Sequence, residues 1–251
     1  MRLTRVHLSA ALQPGAVLPL PDTAARHVAR VLRLAAGDAL RVFDGAGHEF
    51  EAVIASVQRG QVQLRIGAAV ANHGESPLAI TLLQGVARGE KMDFILQKAT
   101  ELGVTRIVPL LMARSTVKLD DSGIAKRQAH WQAVLASACE QCGRARLPVL
   151  TPATALGAAL AGEAREGDLR LLLAPQAGSP SLPALLGRHA TTASDGIQLL
   201  VGPEGGFDDA ELAQALAAGY LRCRLGPRVL RTETAGLAAI AALQALAGDW
   251  R

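Results

Sequence analysis

Two glycine-containing loops carry the residues of this 251-residue chain best placed to do chemistry. The first, Gly202-Pro203-Glu204-Gly205-Gly206-Phe207, follows the apolar run Ile197 to Val201. The second, Leu225-Gly226-Pro227-Arg228-Val229-Leu230-Arg231, follows Tyr220 to Leu225 and leads through Thr232-Glu233-Thr234 into an Ala/Leu-rich segment. Gly205 and Gly206 are either turn residues, since glycine accepts positive φ, or the place where the backbone meets a flat ligand that a β-carbon would hold off. A phosphate cradle fits less well: no Gly-Lys-Ser/Thr follows, and Glu204 would repel phosphate while suiting a cationic or hydroxyl-bearing ligand. Arg228 and Arg231 flank the apolar pair Val229-Leu230 and are either solvated cations or contacts for an anion or a base. Ligands of open α/β sheets sit beyond the carboxyl ends of the strands, so two such loops mark one crevice. Arg114 and Ser115, after another strand-like run, should reach the same edge. Gln141 and Arg144 stand at a helix end, where the dipole alone would favour an arginine.

The elements that must position these residues alternate strand and helix from Leu78 onward, which predicts a mainly parallel sheet with helices on its faces. Strands are expected at Ala79 to Val86, Val104 to Leu111, Leu169 to Ala174, Ile197 to Val201 and Leu221 to Leu225. Helices are expected at Lys91 to Leu102, Ile124 to Gln141, Leu182 to His189, Ala210 to Ala218 and Thr234 to Ala247. Asp208 and Glu211 have the spacing of a capping box. From Ala235 to Gly248 the last helix is apolar on nearly every face, with Gln244 the only polar side chain, so it is buried in its own core or also against a second subunit.

Upstream the pattern differs. A short strand lies within residues 1–12. His27 to Leu34 reads as a brief helix with Val28, Val31 and Leu32 inward and Arg26, Arg30 and Arg33 outward. Strands follow at Ala39 to Phe43, Phe50 to Val57 and Val62 to Ile66, the spacing of a small barrel. Gly45-Ala46-Gly47 lacks the third glycine and the following helix of a dinucleotide fingerprint. The small, polar stretch 67–77 reads as a linker, and the chain divides into domain 1–70, linker 71–77 and domain 78–251.

Apolar residues make up 50% and charged residues 19%, which excludes a disordered chain. No run reaches the ~18 apolar residues of a membrane span, and MRLTRVHL has no signal-peptide core; the expectation is a cytoplasmic protein. The net charge is +4, and the excess is N-terminal, with eight Arg against five acids in residues 1–70. An anionic partner is compatible with that clustering. Cys139 and Cys142 form a C-x-x-C inside a helical pattern without a second pair or a nearby histidine, so neither zinc nor any other metal is expected.

The motifs GPEGGF and LGPRVLRTETA, with KMDFILQKATELGV, an Ala-Arg-Ser segment and EQCGR upstream, resemble the bacterial 16S ribosomal RNA uridine-N3 methyltransferases of the SPOUT superfamily over essentially the whole chain. The resemblance implies a PUA-like N-terminal β-barrel that binds RNA and a C-terminal α/β domain whose last segment forms a deep trefoil knot. It also implies a homodimer with S-adenosylmethionine at the knot. The cofactor would then lie among Leu200, Gly202, Pro203, Glu204, Gly205, Gly206, Leu225, Gly226, Val229, Leu230, Thr234 and Ala235. Arg2, Arg5, Arg30, Arg33, Arg114, Ser115, Gln141, Arg144 and Arg228 would contact the 16S ribosomal RNA of the small subunit. In the implied reaction Arg231 stabilises the charge that develops on the uracil ring, and Glu233 accepts the N3 proton. Two rival readings are a SPOUT enzyme acting on another base or a ribose 2′-hydroxyl, and a non-catalytic RNA-binding assembly factor.

Overall fold

The computed structural model describes residues 3–115, 121–162, 167–174, 176–189 and 196–250, so Arg2 lies outside the described residues. Contacts divide the chain into two units: residues up to Glu75 together with Ala136–Leu147, and Ser76–Leu135 together with Pro148 onward.

In the first unit, β1 (Arg5–His7), β2 (Val17–Pro19), β3 (Ala39–Phe43), β4 (Glu49–Gln58) and β5 (Gln61–Val70) form one sheet in the order β1-β3-β4-β5-β2. Only β1 and β3 pair in parallel. Alternation decides which face is covered: Phe50, Ala52 and Ile54 of β4 and Val62, Leu64 and Ile66 of β5 enter one core. Two register shifts between β4 and β5 bend these long strands, as bulges do. The hairpin between them turns through Arg59 and Gly60, both at positive φ, the two-residue form that matches strand twist. Residues 67–70, expected in the linker stretch, extend β5 instead: Ala69 and Val70 pair with Phe50 and Glu49. Gly-Ala-Ala-Val has no alternation to betray a strand, and the partner strand supplies the hydrogen bonds that fix it. The expected helix at His27 starts earlier, as α1 (Asp22–Arg26), and continues as a π-turn over His27–Val31.

In the second unit seven strands line up in parallel as β12-β10-β11-β6-β7-β8, with β9 also on β7. They are β6 (Ile80–Gly85), β7 (Arg106–Leu111), β8 (Val149–Leu150), β9 (Thr154–Ala155), β10 (Leu169–Leu172), β11 (Ile197–Val201) and β12 (Leu221–Arg222). The helices are α2 (Glu90–Glu101), α3 (Asp121–Cys142), α4 (Leu156–Gly162), α5 (Leu182–Arg188), α6 (Asp209–Ala217) and α7 (Thr232–Ala247). β11 is buried at every position, as a strand covered on both faces must be. Leu82, Ile107 and Leu199 join Met92 of α2, Trp131 of α3 and Ile240 of α7 in one core. Leu83, Val108 and Leu200 join Leu156 of α4 and Ala215 of α6 in the other. The parallel sheet with helices on both faces, expected from the alternation, is therefore present. β8, β9 and α4 were not expected, because two-residue strands and a seven-residue helix are too short to show a period.

Helix α3 belongs to both units. Trp131 and Leu135 enter the core of the sheet domain, whereas Cys139, with Ala145 beyond the end of the helix, packs on Phe43 in the first unit. Gln244, the polar residue within the apolar run of α7, is buried because its amide donates to Leu102 O at 2.8 Å and accepts from the Ser76 hydroxyl at 3.0 Å.

Candidate active site

At the carboxyl edge of the parallel sheet, the loops after β11 and β12 enclose a cavity of about 600 Å³. Gly202, Pro203, Glu204, Gly206 and Phe207 form one wall, and Leu225, Arg228, Val229, Leu230 and Arg231 another. Thr232, Glu233 and Ala235 of α7 and Lys91 of α2 close it, with Leu173, Val201 and Arg222 among the remaining lining residues.

The first loop is held from both ends. Asp208 accepts from the Glu211 N–H at 2.7 Å and Glu211 accepts from the Asp208 N–H at 3.0 Å, the expected capping box. The other oxygen of Glu211 accepts from the Ala113 N–H at 2.8 Å and so ties α6 to the turn after β7. Where the loop leaves β11 it crosses Gly85, the last residue of β6. A β-carbon at Gly85 would lie 2.5 Å from the Pro203 nitrogen, so only glycine permits the crossing. The second loop is fastened through Thr232. Its hydroxyl donates to Gly202 O at 2.6 Å and accepts from the Gln84 amide at 2.9 Å. One buried hydroxyl thus joins β6, the first loop and the start of α7.

The acidic wall is organised by the first turn of α2. Lys91 Nζ lies 3.6 Å from Glu204 Oε1 and 3.4 Å from Glu233 Oε1. Burial pushes the Glu204 carboxyl up, but hydrogen bonds from the backbone N–H groups of Arg88 and Glu204 itself, and the charge of Lys91, outweigh it and hold the group below the usual carboxylate range. Glu233 Oε2 is buried and has no hydrogen-bond partner among the described residues.

The expected cofactor residues divide. Gly202, Pro203, Glu204, Gly206, Leu225, Val229, Leu230 and Ala235 line the cavity, as do Arg231 and Glu233. Leu200, Gly205, Gly226 and Thr234 do not. Leu200 points into the core between the sheet and α4 and α6. Gly205 is required by the protein itself: its β-carbon would stand 2.6 Å from Arg114 O. Gly226 has φ 105 with open space around it, which makes it a turn glycine.

The arginines also divide. Arg30 and Arg33 are exposed, beside the outward-turned Val31 and Leu32 that the sequence placed inward. The helical period fails there because the chain widens into the π-turn. Arg5 does not present a free cation. It is 9% exposed, pairs with Glu49 at 2.9 Å and donates to the carbonyls of Cys139 and Arg144. Arg144, only 2% exposed, pairs with Glu75 at 3.0 Å. Both were expected to contact RNA; a buried cation must be paired, and these two are used up in holding residues 136–147 to the rest of the first unit. Gln141, Arg114 and Arg228 are exposed, and the Ser115 hydroxyl donates to Val86 O at 3.0 Å. Sequence reasoning missed Lys91, Gln84 and Thr232. The signal for Lys91 was its place at the start of the helix after β6, on the same sheet edge as the loops.

Among the described residues no helix is long and apolar enough to cross a membrane. The family model for an RNA methyltransferase domain matches residues 74–244, and that for an RNA methyltransferase PUA domain matches residues 20–67. The ribosomal RNA small subunit methyltransferase E of Buchnera aphidicola is 32% identical over 99% of this chain and 98% of its own length. The protein of that name from Synechocystis is 33% identical over 92% of this chain and 74% of its own. Among solved structures, ribosomal RNA small subunit methyltransferase E from Neisseria gonorrhoeae, bound to S-adenosyl methionine, is 38% identical, superposes with a TM-score of 0.91 and covers 100% of both chains. With a PUA domain ahead of a parallel α/β domain, and full-length likeness above 30% identity, the chain belongs to the RNA methyltransferase family of the ribosomal RNA small subunit methyltransferases E.

Proposed function

We propose that this chain transfers a methyl group from S-adenosylmethionine to N3 of a uridine in the 16S ribosomal RNA of the small subunit, in the cytoplasm. The observation that carries the reading is the cavity between the two glycine loops, whose wall is apolar at Val201, Leu225 and Leu230 and acidic at Glu204 and Glu233. Its size is that of small-molecule pockets in general, roughly 300–1,000 Å³. Paired carboxylates beside an apolar slot suit a ligand that carries amine, hydroxyl and sulfonium groups, and they repel a phosphate. When bound, S-adenosylmethionine supplies a methyl group on a positively charged sulfur.

The chain's own residues then have three tasks. Pro203, Leu225 and Leu230 exclude water from the slot. Glu233 Oε2, buried and lacking a donor among the described residues, accepts the proton that must leave N3. Arg231, exposed at the cavity and the N-cap residue of α7, meets the negative charge that builds on the uracil ring. Arg30 and Arg33 of the first unit supply salt-dependent phosphate contacts, with Arg228, Arg114, Ser115 and Gln141 as further contacts. We infer also that the tail carrying α7 is threaded as a trefoil knot and that α7 packs against a second copy, which light scattering on the purified protein would detect as a dimer.

The deciding experiment incubates the protein with labelled S-adenosylmethionine and small subunits that lack the modification, followed by nuclease digestion and mass spectrometry. 3-Methyluridine is the expected product. A 2′-O-methyl nucleoside or another methylated base would move the activity to a different RNA position. Failure to bind the cofactor would favour a non-catalytic assembly factor.

A further inference from the structure

We propose that Lys91 is a positioning residue for Glu233: one ammonium at the start of α2 holds both acids of the cavity and sets where the Glu233 carboxylate stands and which charge it meets. The inference rests on the reading of Glu233 as proton acceptor, but the placement of Lys91 does not depend on it.

Lys91 Nζ approaches Glu233 Oε1 at 3.4 Å and Glu204 Oε1 at 3.6 Å, so a single cation serves two carboxylates. Glu204 has a second anchor in the Arg88 N–H at 3.0 Å. Glu233 has none among the described residues, where its Oε2 is without a donor. The two acids thus depend on Lys91 unequally. Without the ammonium, Glu204 would keep its backbone donor and its charge. Glu233, half-buried, would face that charge without the ammonium between them, and both effects favour its protonated form. A protonated Glu233 cannot accept a proton. The charged groups that line the cavity with it are Lys91 from α2, Glu204 from the first loop, Arg222 from β12 and Arg228 and Arg231 from the second loop. Of these only Lys91 forms an ion pair with it. As a contribution to stability the pair is small, because the Lys91 side chain is 37% exposed and ion pairs at such positions hold little. Its consequence lies in how the acid is held for its task.

The test uses Lys91→Met and Lys91→Arg in the full chain, with two readouts. The first is the titration of the Glu233 carboxyl, followed by NMR on carbon-13-labelled glutamate in the protein without cofactor and assigned with Glu233→Gln. Lys91→Met should raise that titration, because an attracting charge is removed and a repelling one stays, and Lys91→Arg should return it. Adding Glu204→Gln to Lys91→Met should bring it part of the way back, because the opposing charge is gone. The second readout is the single-turnover rate of methyl transfer at saturating cofactor. Lys91→Met should move the acidic limb of its pH profile upward, with a loss that is largest at the acid end and disappears toward pH 8.5, and Lys91→Arg should restore the profile. A Glu233 titration that Lys91→Met leaves in place, with thermal melts showing the fold intact, overturns the proposal. A titration that moves in a protein whose wild type methylates no RNA supports the placement of Lys91 and sinks the methyltransferase reading instead.

Discussion

Thr232 offers the sharpest test of how the cavity is built. Its hydroxyl is buried, donates to Gly202 O at 2.6 Å and accepts from the Gln84 amide at 2.9 Å. Thr232→Val preserves the shape of the side chain and nearly the helix propensity, so cavity and backbone effects cancel and the hydroxyl alone is deleted. Two buried hydrogen bonds at about 1 kcal/mol each predict a loss of about 2 kcal/mol. With a urea m-value of about 2 kcal/mol/M, the unfolding midpoint should fall by about 1 M. Thr232→Ser is the control. It keeps the hydroxyl and loses one methyl, about 0.8 kcal/mol. Calorimetry should show S-adenosylmethionine affinity falling in the valine variant, because the two loops lose their common anchor, and held in the serine variant. If Thr232→Val proves as stable as Thr232→Ser and binds the cofactor like the wild type, the fastening role assigned to this hydroxyl is wrong.

Three further outcomes are expected. Arg231→Ala should lower the single-turnover rate by ~100-fold while changing cofactor affinity by less than about threefold; an unchanged rate removes it from the chemistry. Arg30→Ala with Arg33→Ala should weaken RNA binding and reduce the slope of log affinity against log salt by about 2, and a slope that stays put places the phosphate contacts elsewhere. Cys142 should be the cysteine that iodoacetamide reaches first at neutral pH. The neighbouring Cys139 thiol and the backbone N–H of Arg144 pull its titration below the ordinary 9.0, against the opposing effect of burial, so more of it is thiolate as pH rises through that lowered range. Cys139 and Cys223 are buried and pushed the other way. Peptide mapping that finds Cys223 alkylated first would contradict this ordering.

The sheet domain was legible because its elements repeat a strong local signal. β11 is five apolar residues in a row, α2 and α6 carry their own caps or stops, and Asp208 with Glu211 closes the capping box that their spacing announces. The edge of the domain was not legible. β8, β9 and α4 are held by neighbours rather than by their own pattern, and residues 67–70 become strand only because β4 is there to pair with them. In the site, the two glycine loops could be read as walls of one crevice, since a strand followed by a glycine loop and a helix states its own geometry.

Which residue of those loops does what belongs to tertiary structure. Gly202 and Gly205 are one motif in sequence, yet Gly202 lines the cavity and Gly205 makes room for the Arg114 backbone. Arg5 and Arg30 are equally basic in a list of residues; Glu49 buries the first, and no such acid reaches the second among the described residues. Lys91 lies more than a hundred residues from both acids it holds, and no local pattern connects them. Periodicity and turn chemistry are properties of neighbouring residues, so sequence alone determined the elements and the loops. Charge pairing and close backbone approach join residues that are distant in the chain, and only the folded structure decided those.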